Sequence, residues 1–333
     1  MPALIDVLCP GKDSYVTPAM MPATGTPAIS RAWKYQQVLR SVQWGSGGVV
    51  KNRSSFVDHI KPSDLAALLD EAESAGVKRP SSYADLFHHC YSSPRLSGPV
   101  ARAVQHFDVF GGWQQLTKPT GDYAGTWRRY DIRSAYLWAM TEGLPHPRSM
   151  RFSERIGRHA GVYVAEVLPQ LAAPPPFRRG GRVIVTPEEI ERYNLTVTKL
   201  DYGIEWTYNV AVDPMLAAVM RWSCWKQVGR SFWGRWGSNG KVNCVTFRGG
   251  EQSKAWELPN NTFNPIWAHL ITSRIKARLY DVLRGHDTAR VYVDSVVTTA
   301  ELPTGNNIGD WKLEAEYSGL AVRHLNRYYS LAS

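Results

Sequence analysis

The 333-residue chain is 44% hydrophobic and 20% charged, which is ordinary globular material, enough for one large domain or two medium ones. No apolar run is long enough to cross a bilayer, and the start Met1-Pro2-Ala3-Leu4-Ile5-Asp6 lacks the charged and apolar segments of a signal peptide, so a cytoplasmic protein without a membrane partner is expected. A formal net charge of +10 favours a polyanion partner, because neutralising phosphates releases counterions.

The four cysteines, Cys9, Cys90, Cys224 and Cys244, form no Cys-x-x-Cys pair, which argues against a zinc site and a disulfide framework. His88-His89-Cys90 reads either as metal ligands or as a polar helix end. Many of the 13 tryptophans stand beside a cation, as in Arg221-Trp222, Trp225-Lys226 and Trp233-Gly234-Arg235-Trp236. Such interleaving suits base stacking plus phosphate contacts, and equally a Trp-rich core under a basic surface.

Residues 1–105 read as a separate mixed module. Its start is loop-rich, with Pro18, Pro22 and Pro27. A helix is predicted over Ser63–Ala72 with Ser63 as N-cap, and another over Tyr83–His89. From Phe107 onward strands alternate with helices. Thr126–Asp131 reads as a strand and Ser134–Met140 as a helix start. Gly161–Val167 and Val183–Val185 read as further strands. Thr186-Pro187-Glu188-Glu189 is a capping box with proline at the first helical position. Helical spacing covers Pro214–Trp225 and Pro265–Leu283, and a β-run covers Val291–Thr299. The pattern predicts an α+β fold, an antiparallel sheet with helices packed on one face.

Two aspartates interrupt strands. Asp131 ends one, and Asp294 sits inside the β-run. Burying an unpaired carboxylate is costly, so such groups usually pair with a base or hold a cation. On neighbouring strands they could hold two Mg2+ ions about 4 Å apart for phosphoryl transfer. They could equally be ordinary turn or salt-bridge residues.

Around these residues the chain resembles a known family. Asp131-Ile132-Arg133-Ser134-Ala135-Tyr136 resembles motif A of family B DNA polymerases, Asp-x-x-Ser-Leu-Tyr. Lys226-Gln227-Val228-Gly229-Arg230-Ser231-Phe232-Trp233-Gly234 resembles motif B, Lys-x-x-x-Asn-Ser-x-Tyr-Gly. Tyr292-Val293-Asp294-Ser295 resembles a shortened motif C, Tyr-x-Asp-Thr-Asp-Ser. Phe110-Gly111-Gly112, the stretch Ile271–Arg278, Ile308-Gly309-Asp310-Trp311 with Glu314, and Arg327-Tyr328-Tyr329 resemble further segments of the protein-primed phage branch, all in order.

The resemblance implies a polymerase palm over residues 106–333, with short helical fingers at about 205–265. It makes Asp131 and Asp294 the catalytic metal-binding carboxylates, with the Ile132 carbonyl as a further ligand. The ions would be two Mg2+, with Mn2+ as a substitute. It assigns Ser134, Tyr136, Arg221, Lys226, Arg230, Trp233 and Gly234 to the incoming nucleotide. The Tyr136 ring would lie under the sugar and exclude a 2′-hydroxyl. Gly111, Gly112, Lys276, Arg327 and Tyr329 would touch primer or template. The implied function is a DNA polymerase acting in DNA replication, with DNA primer-template and dNTPs as partners and a terminal or accessory protein as a further one, in a phage or mobile element of a bacterial host.

The pattern is broken in places. Motif C has lost the first aspartate, where Tyr292 or Val293 stands. Arg230 replaces an asparagine and Trp233 a tyrosine. Val109 replaces the tyrosine of Tyr-x-Gly-Gly. No exonuclease motifs and no thumb are found, so proofreading is not expected, and residues 1–105 or a partner would supply the missing grip or the primer. Two other functions stay open: template-independent or priming synthesis, and a catalytically lapsed nucleic-acid-binding homologue.

Overall fold

The structure is a computed structural model, and it describes residues 32, 49–50, 61–77, 80, 83–105, 107, 111–157, 160–237, 241–248, 251–259, 263–325 and 327–330. The expectations on Cys9, Pro18, Pro22, Pro27, Val109 and Phe110 lie outside the described residues.

In chain order the elements are β1 (Val49–Val50), α1 (Pro62–Ser74), α2 (Tyr83–Cys90), α3 (Gly98–Val104), β2 (Trp113–Leu116), β3 (Gly121–Ile132), α4 (Ala135–Thr141), β4 (Arg151–Ser153), β5 (Gly161–Val167), β6 (Gly181–Val185), α5 (Pro187–Arg192), β7 (Val197–Glu205) and α6 (Val212–Met220). They continue with α7 (Trp225–Gly237), β8 (Lys241–Arg248), β9 (Glu251–Pro259), α8 (Pro265–Gly285), β10 (Thr288–Val293), β11 (Ser295–Thr298), β12 (Trp311–His324) and β13 (Arg327–Ser330). The chain divides into two compact units, Met1–Ser93 with Pro214–Phe263, and Pro94–Asp213 with Asn264–Ser333. The second unit thus begins before α3, and the excursion from Pro214 joins the N-terminal segment.

The second unit is the expected α+β body. Its main sheet has six strands in the order β13-β12-β3-β11-β10-β2, every neighbour antiparallel. A second antiparallel sheet runs β4-β7-β5-β6. Trp127, Ala289, Val297, Leu320 and Val322 form one buried cluster on the main sheet. The long helix α8 packs on α4 and on β10. It starts where Asn264 accepts the Trp267 amide at 3.2 Å and Pro265 presets the first turn. From α8, Arg274 donates to the carbonyls of Ala139 (2.6 Å) and Glu142 (3.3 Å), closing the C-terminus of α4.

The capping box at α5 forms as the sequence requires. Thr186 Oγ1 accepts the Glu189 amide at 3.1 Å, and Glu189 accepts the Thr186 amide at 3.0 Å. Glu189 is buried and lies 3.2 Å from His269. Burial alone would raise its pKa, but His269 and the hydrogen bonds from Ser273 and Thr186 outweigh it and hold the carboxyl below the usual range.

The first unit contains α1, α2, most of α6, α7 and the three-stranded sheet β1-β8-β9. The predicted N-cap of α1 is corrected. Lys61 occupies that position in extended geometry, Pro62 opens the helix, and the Ser63 hydroxyl turns to Asp64 at 3.3 Å. The helix expected over Pro214–Trp225 is also split. It ends at Met220 and resumes at Trp225, because the Ser223 amide and hydroxyl are held by the Glu71 carboxylate at 2.9 and 2.7 Å instead of joining a helical ladder.

Two stability outcomes follow. Thr186→Ala should cost about 1 kcal/mol in chemical denaturation, since it leaves the Glu189 amide without its cap. A depressed Glu189 pKa adds stability that is present above the unfolded value and lost as pH falls through the folded one. Wild-type stability should therefore drop as pH falls below the ordinary glutamate range, with a component that Glu189→Gln lacks. Equal slopes in the two proteins would remove Glu189 as its source.

Candidate active site

The β-run expected across Val291–Thr299 is broken in the structure. The chain reverses at Val293-Asp294, so β10 and β11 form a hairpin with Tyr292 and Ser295 as facing partners. Ser295 Oγ closes the turn by donating to the Tyr292 carbonyl at 3.0 Å. Asp294 therefore stands at a hairpin tip rather than within a strand. Val293 takes φ 58°, a left-handed conformation that asparagine, aspartate or glycine usually fills at this position of two-residue hairpins. For a β-branched residue this is an outlier costing on the order of 1–2 kcal/mol, so the surroundings must enforce it.

One such enforcement comes from Gly112. A Cβ built there would lie 2.9 Å from Val293 Cγ1 and 3.0 Å from its Cα. The start of β2 approaches the turn so closely that only glycine fits. Gly112 thus has a packing role at the turn, while Gly111 is exposed with open space at its Cβ position.

Sheet pairing brings Asp131 beside this hairpin from far away in sequence. Asp131 is the facing partner of Ser295, and the Ile132 amide donates to the Asp294 carbonyl at 2.9 Å. Across five strands the facing residues Gln114, Tyr292, Ser295, Asp131 and Lys312 make one polar row. The two aspartates singled out in the sequence are thus brought close by backbone pairing, Asp131 at the end of β3 and Asp294 at the hairpin tip beside it.

The Asp131 side chain is 31% exposed and pairs with the Arg129 cation, but one of its oxygens is out of water. Its Oδ1 is buried without a hydrogen-bond partner, and Arg129 Nε lies 3.7 Å away, beyond hydrogen-bond reach. Burial raises the carboxyl pKa. Arg129 and Lys312 oppose that rise, and Glu314 adds to it. Glu314 occupies a bulge in β12, where its side chain meets the Lys312 ammonium. An under-compensated carboxylate of this kind has an oxygen to offer a cation. Among the described residues no group of three or more His, Cys, Asp or Glu gathers in ligand geometry, which also removes His88-His89-Cys90 as a metal cluster.

The backbone after Asp131 is fixed by contacts that local sequence did not reveal. The Arg133 amide donates to the Asp310 carbonyl and the Gly309 amide to the Arg133 carbonyl, at 2.9 and 2.8 Å. The Arg133 guanidinium reaches the Gly305 carbonyl at 2.6 Å and Asn306 at 3.2 Å. Arg278 stacks between Trp138 and Trp311, 4.9 and 5.0 Å from the ring centres. Ser134 caps α4 in a left-handed conformation, φ 50° and ψ 46°. Tyr136, half-buried, follows in the first turn.

Of the other residues expected at primer or template in this unit, Lys276 is buried in this structure. It is 5% exposed, it donates to the Pro175 carbonyl at 3.3 Å, and burial lowers its pKa to about 8. Arg327 and Tyr329 lie in the edge strand β13.

In the first unit, Lys226 and Arg230 are both exposed, one turn apart on α7. Trp233 is half-buried, and Gly234 lies further along the same helix. Arg221 is exposed, 5.1 Å from the Trp222 ring centre and 3.3 Å from Cys90 Sγ.

The raised Asp131 pKa means that ionising this group destabilises the fold, and stability falls as pH rises from the unfolded value through the folded one. Asp131→Asn should therefore melt at a higher temperature than wild type at neutral pH without divalent cations, and a lower melting point would contradict a net cost of its charge. Gly112→Ala should cost about 1–3 kcal/mol, as overpacking against a backbone atom does.

No protein-family profile matches the sequence, and no curated protein matches it. Solved structures do match in fold. Phi29 DNA polymerase complexed with primer-template DNA shares 14% identity over 78% of this chain, with a TM-score of 0.54. Its ternary complex with primer-template DNA and incoming nucleotide substrates shares 15% identity over 78% of this chain, with a TM-score of 0.53. An orthorhombic crystal form shares 12% over 85%, also at 0.53. The chain spans 56%, 57% and 64% of those three structures in turn, under two thirds of each. The chain therefore has a polymerase-like α+β fold.

Proposed function

We propose that this protein is a DNA polymerase-type nucleotidyltransferase of the family B kind, adding deoxynucleotides to a 3′-hydroxyl without proofreading. The observation that carries the reading is the backbone pairing that sets Asp131, at the end of β3, beside the hairpin tip bearing Asp294, with one Asp131 oxygen buried and unsatisfied, in a fold similar to that of a polymerase. The titles of the similar structures name primer-template DNA and incoming nucleotides, which supports the same partners here.

In the proposed reaction the primer 3′-oxygen bonds to the α-phosphorus of a dNTP. The bond to the β-phosphate oxygen breaks, pyrophosphate leaves, and the hydroxyl proton passes to solvent. Asp131 and Asp294, with the Ile132 carbonyl, would hold Mg2+, which when bound supplies positive charge to the attacking and leaving oxygens. The hairpin and the Arg133 contacts fix the backbone that carries both aspartates, and such preorganisation would be the main contribution of protein to phosphoryl transfer. Tyr136 is the group proposed to exclude a ribose 2′-hydroxyl. Lys226 and Arg230, exposed on one face of α7, are the cations proposed to neutralise the triphosphate.

Extension of a labelled primer on a defined template tests this. Wild type with Mg2+ should add dNTPs and discriminate against rNTPs. Asp131→Asn and Asp294→Asn should each lower the rate at least about 100-fold, and Tyr136→Ala should relax discrimination about tenfold or more. Undiminished extension by either asparagine variant would overturn the proposal, as would a wild type that binds DNA and dNTP but extends nothing.

A further inference from the structure

Helix α7 has two faces. Val228 and Trp236 are fully buried and Gly229 is buried beside them, whereas Lys226, Gln227 and Arg230 are exposed. The rotation of the helix about its axis therefore decides where Lys226 and Arg230 point. That rotation is set by elements from the N-terminal segment. Helix α2 packs along α7, with the Phe87 ring 6.0 Å from Trp236 in edge-on contact and both rings wholly buried. Tyr83, at the start of α2, is buried, and burial with the nearby Cys224 pushes its phenol up to about 12. At the other end of the contact, β1 pairs with β8 in the strand pair that follows α7.

The start of α7 is held by one carboxylate. Glu71 on α1 accepts the Ser223 amide at 2.9 Å through Oε1 and the Ser223 hydroxyl at 2.7 Å through Oε2. Both bonds are charge-assisted, and together they orient as well as bind. They act two residues before the first residue of α7, where a small change of direction propagates along 13 residues of helix. Close by, Arg221 lies 3.3 Å from Cys90 Sγ at the end of α2.

We infer that the N-terminal helices serve as a bracket that fixes the orientation of α7, with Glu71 as a positioning residue for nucleotide binding by Lys226 and Arg230. This differs from the expectation that residues 1–105 grip DNA. It rests on the proposed nucleotide role of α7, and the bracket itself can be tested apart from that role. Glu71 touches no substrate in this assignment. It acts through Ser223 and the helix that follows.

The test uses full-length Glu71→Ala, Glu71→Gln and Ser223→Ala. Amide hydrogen exchange across residues 225–237 reads the bracket, and steady-state KM for dNTP with primer-template affinity reads its consequence. Glu71→Ala should speed exchange in α7 and raise KM for dNTP about tenfold, the size of a lost charge-assisted hydrogen bond, with primer-template affinity unchanged. Glu71→Gln keeps one acceptor oxygen and should fall between Glu71→Ala and wild type. Ser223→Ala keeps the amide bond, should fold if Glu71→Ala does not, and should give a smaller rise in KM. Unaltered exchange in α7 would overturn the bracket. Faster exchange with an unchanged KM, or a loss confined to primer-template affinity, would overturn the positioning role. A wild type that extends no primer would overturn the proposed function instead, and the exchange measurement alone would then decide the bracket.

Discussion

The backbone pairing of β3 with β11 is the constraint on which the rest of the site depends. It brings residue 131 next to residue 294, with the Ile132 amide on the Asp294 carbonyl and Asp131 opposite Ser295. Each aspartate by itself is an ordinary polar residue. The pairing sets the Asp294 hairpin tip beside the end of β3, where one Asp131 oxygen has no hydrogen-bond donor. A fold keeps such an arrangement only when surrounding structure forces it, because desolvating a carboxylate opposes folding. Here the forcing comes from a wide antiparallel sheet on both sides, from the tight approach of Gly112, and from the Arg133 contacts with the 305–310 loop.

Two of the three described non-glycine residues with left-handed backbone stand at this site, the third being Asn194 after α5. Val293 and Ser134 both adopt left-handed backbone, and each adjoins a motif that carries a proposed metal ligand or its helix. Left-handed non-glycine residues cluster at sites where geometry matters more than local comfort. The Arg278 guanidinium between Trp138 and Trp311 ties α8 to both α4 and β12, so the helix after Asp131 and the strand beside it are held as one body. The charges around Asp131 are graded too: two cations lower its pKa, while burial and Glu314 raise it, and the net rise leaves room for a further positive charge.

Much of this was legible in the sequence where local chemistry decides structure. The Thr186–Glu189 capping box, the Gly161–Val167 strand and the start of α8 at Pro265 follow directly from side-chain caps, β-branched runs and proline geometry. The Asp131 and Asp294 pairing was suggested by two acidic residues interrupting strands. What escaped was set by distant partners. Tyr-Val-Asp-Ser carries no glycine or Asn-Gly signal, so the hairpin at Val293-Asp294 read as one strand, and packing against Gly112 supplies what the turn residues do not. Lys276 read as a surface cation because its burial depends on the Pro175 loop about 100 residues away, at a separation of 101. The split between α6 and α7 depends on Glu71, 152 residues before Ser223. The contacts of α2 with α7 likewise leave no local trace in either segment.

The proposed function requires Asp131 and Asp294 to hold divalent cations that neutralise a triphosphate. Its most direct test is a crystal soaked with Mn2+ and a non-hydrolysable dNTP analogue, examined for anomalous scattering from manganese. The account predicts anomalous density coordinated by both Asp131 and Asp294 and by the analogue's phosphates. Manganese absent from these carboxylates while the analogue is bound, or coordinated by only one of them, would contradict it.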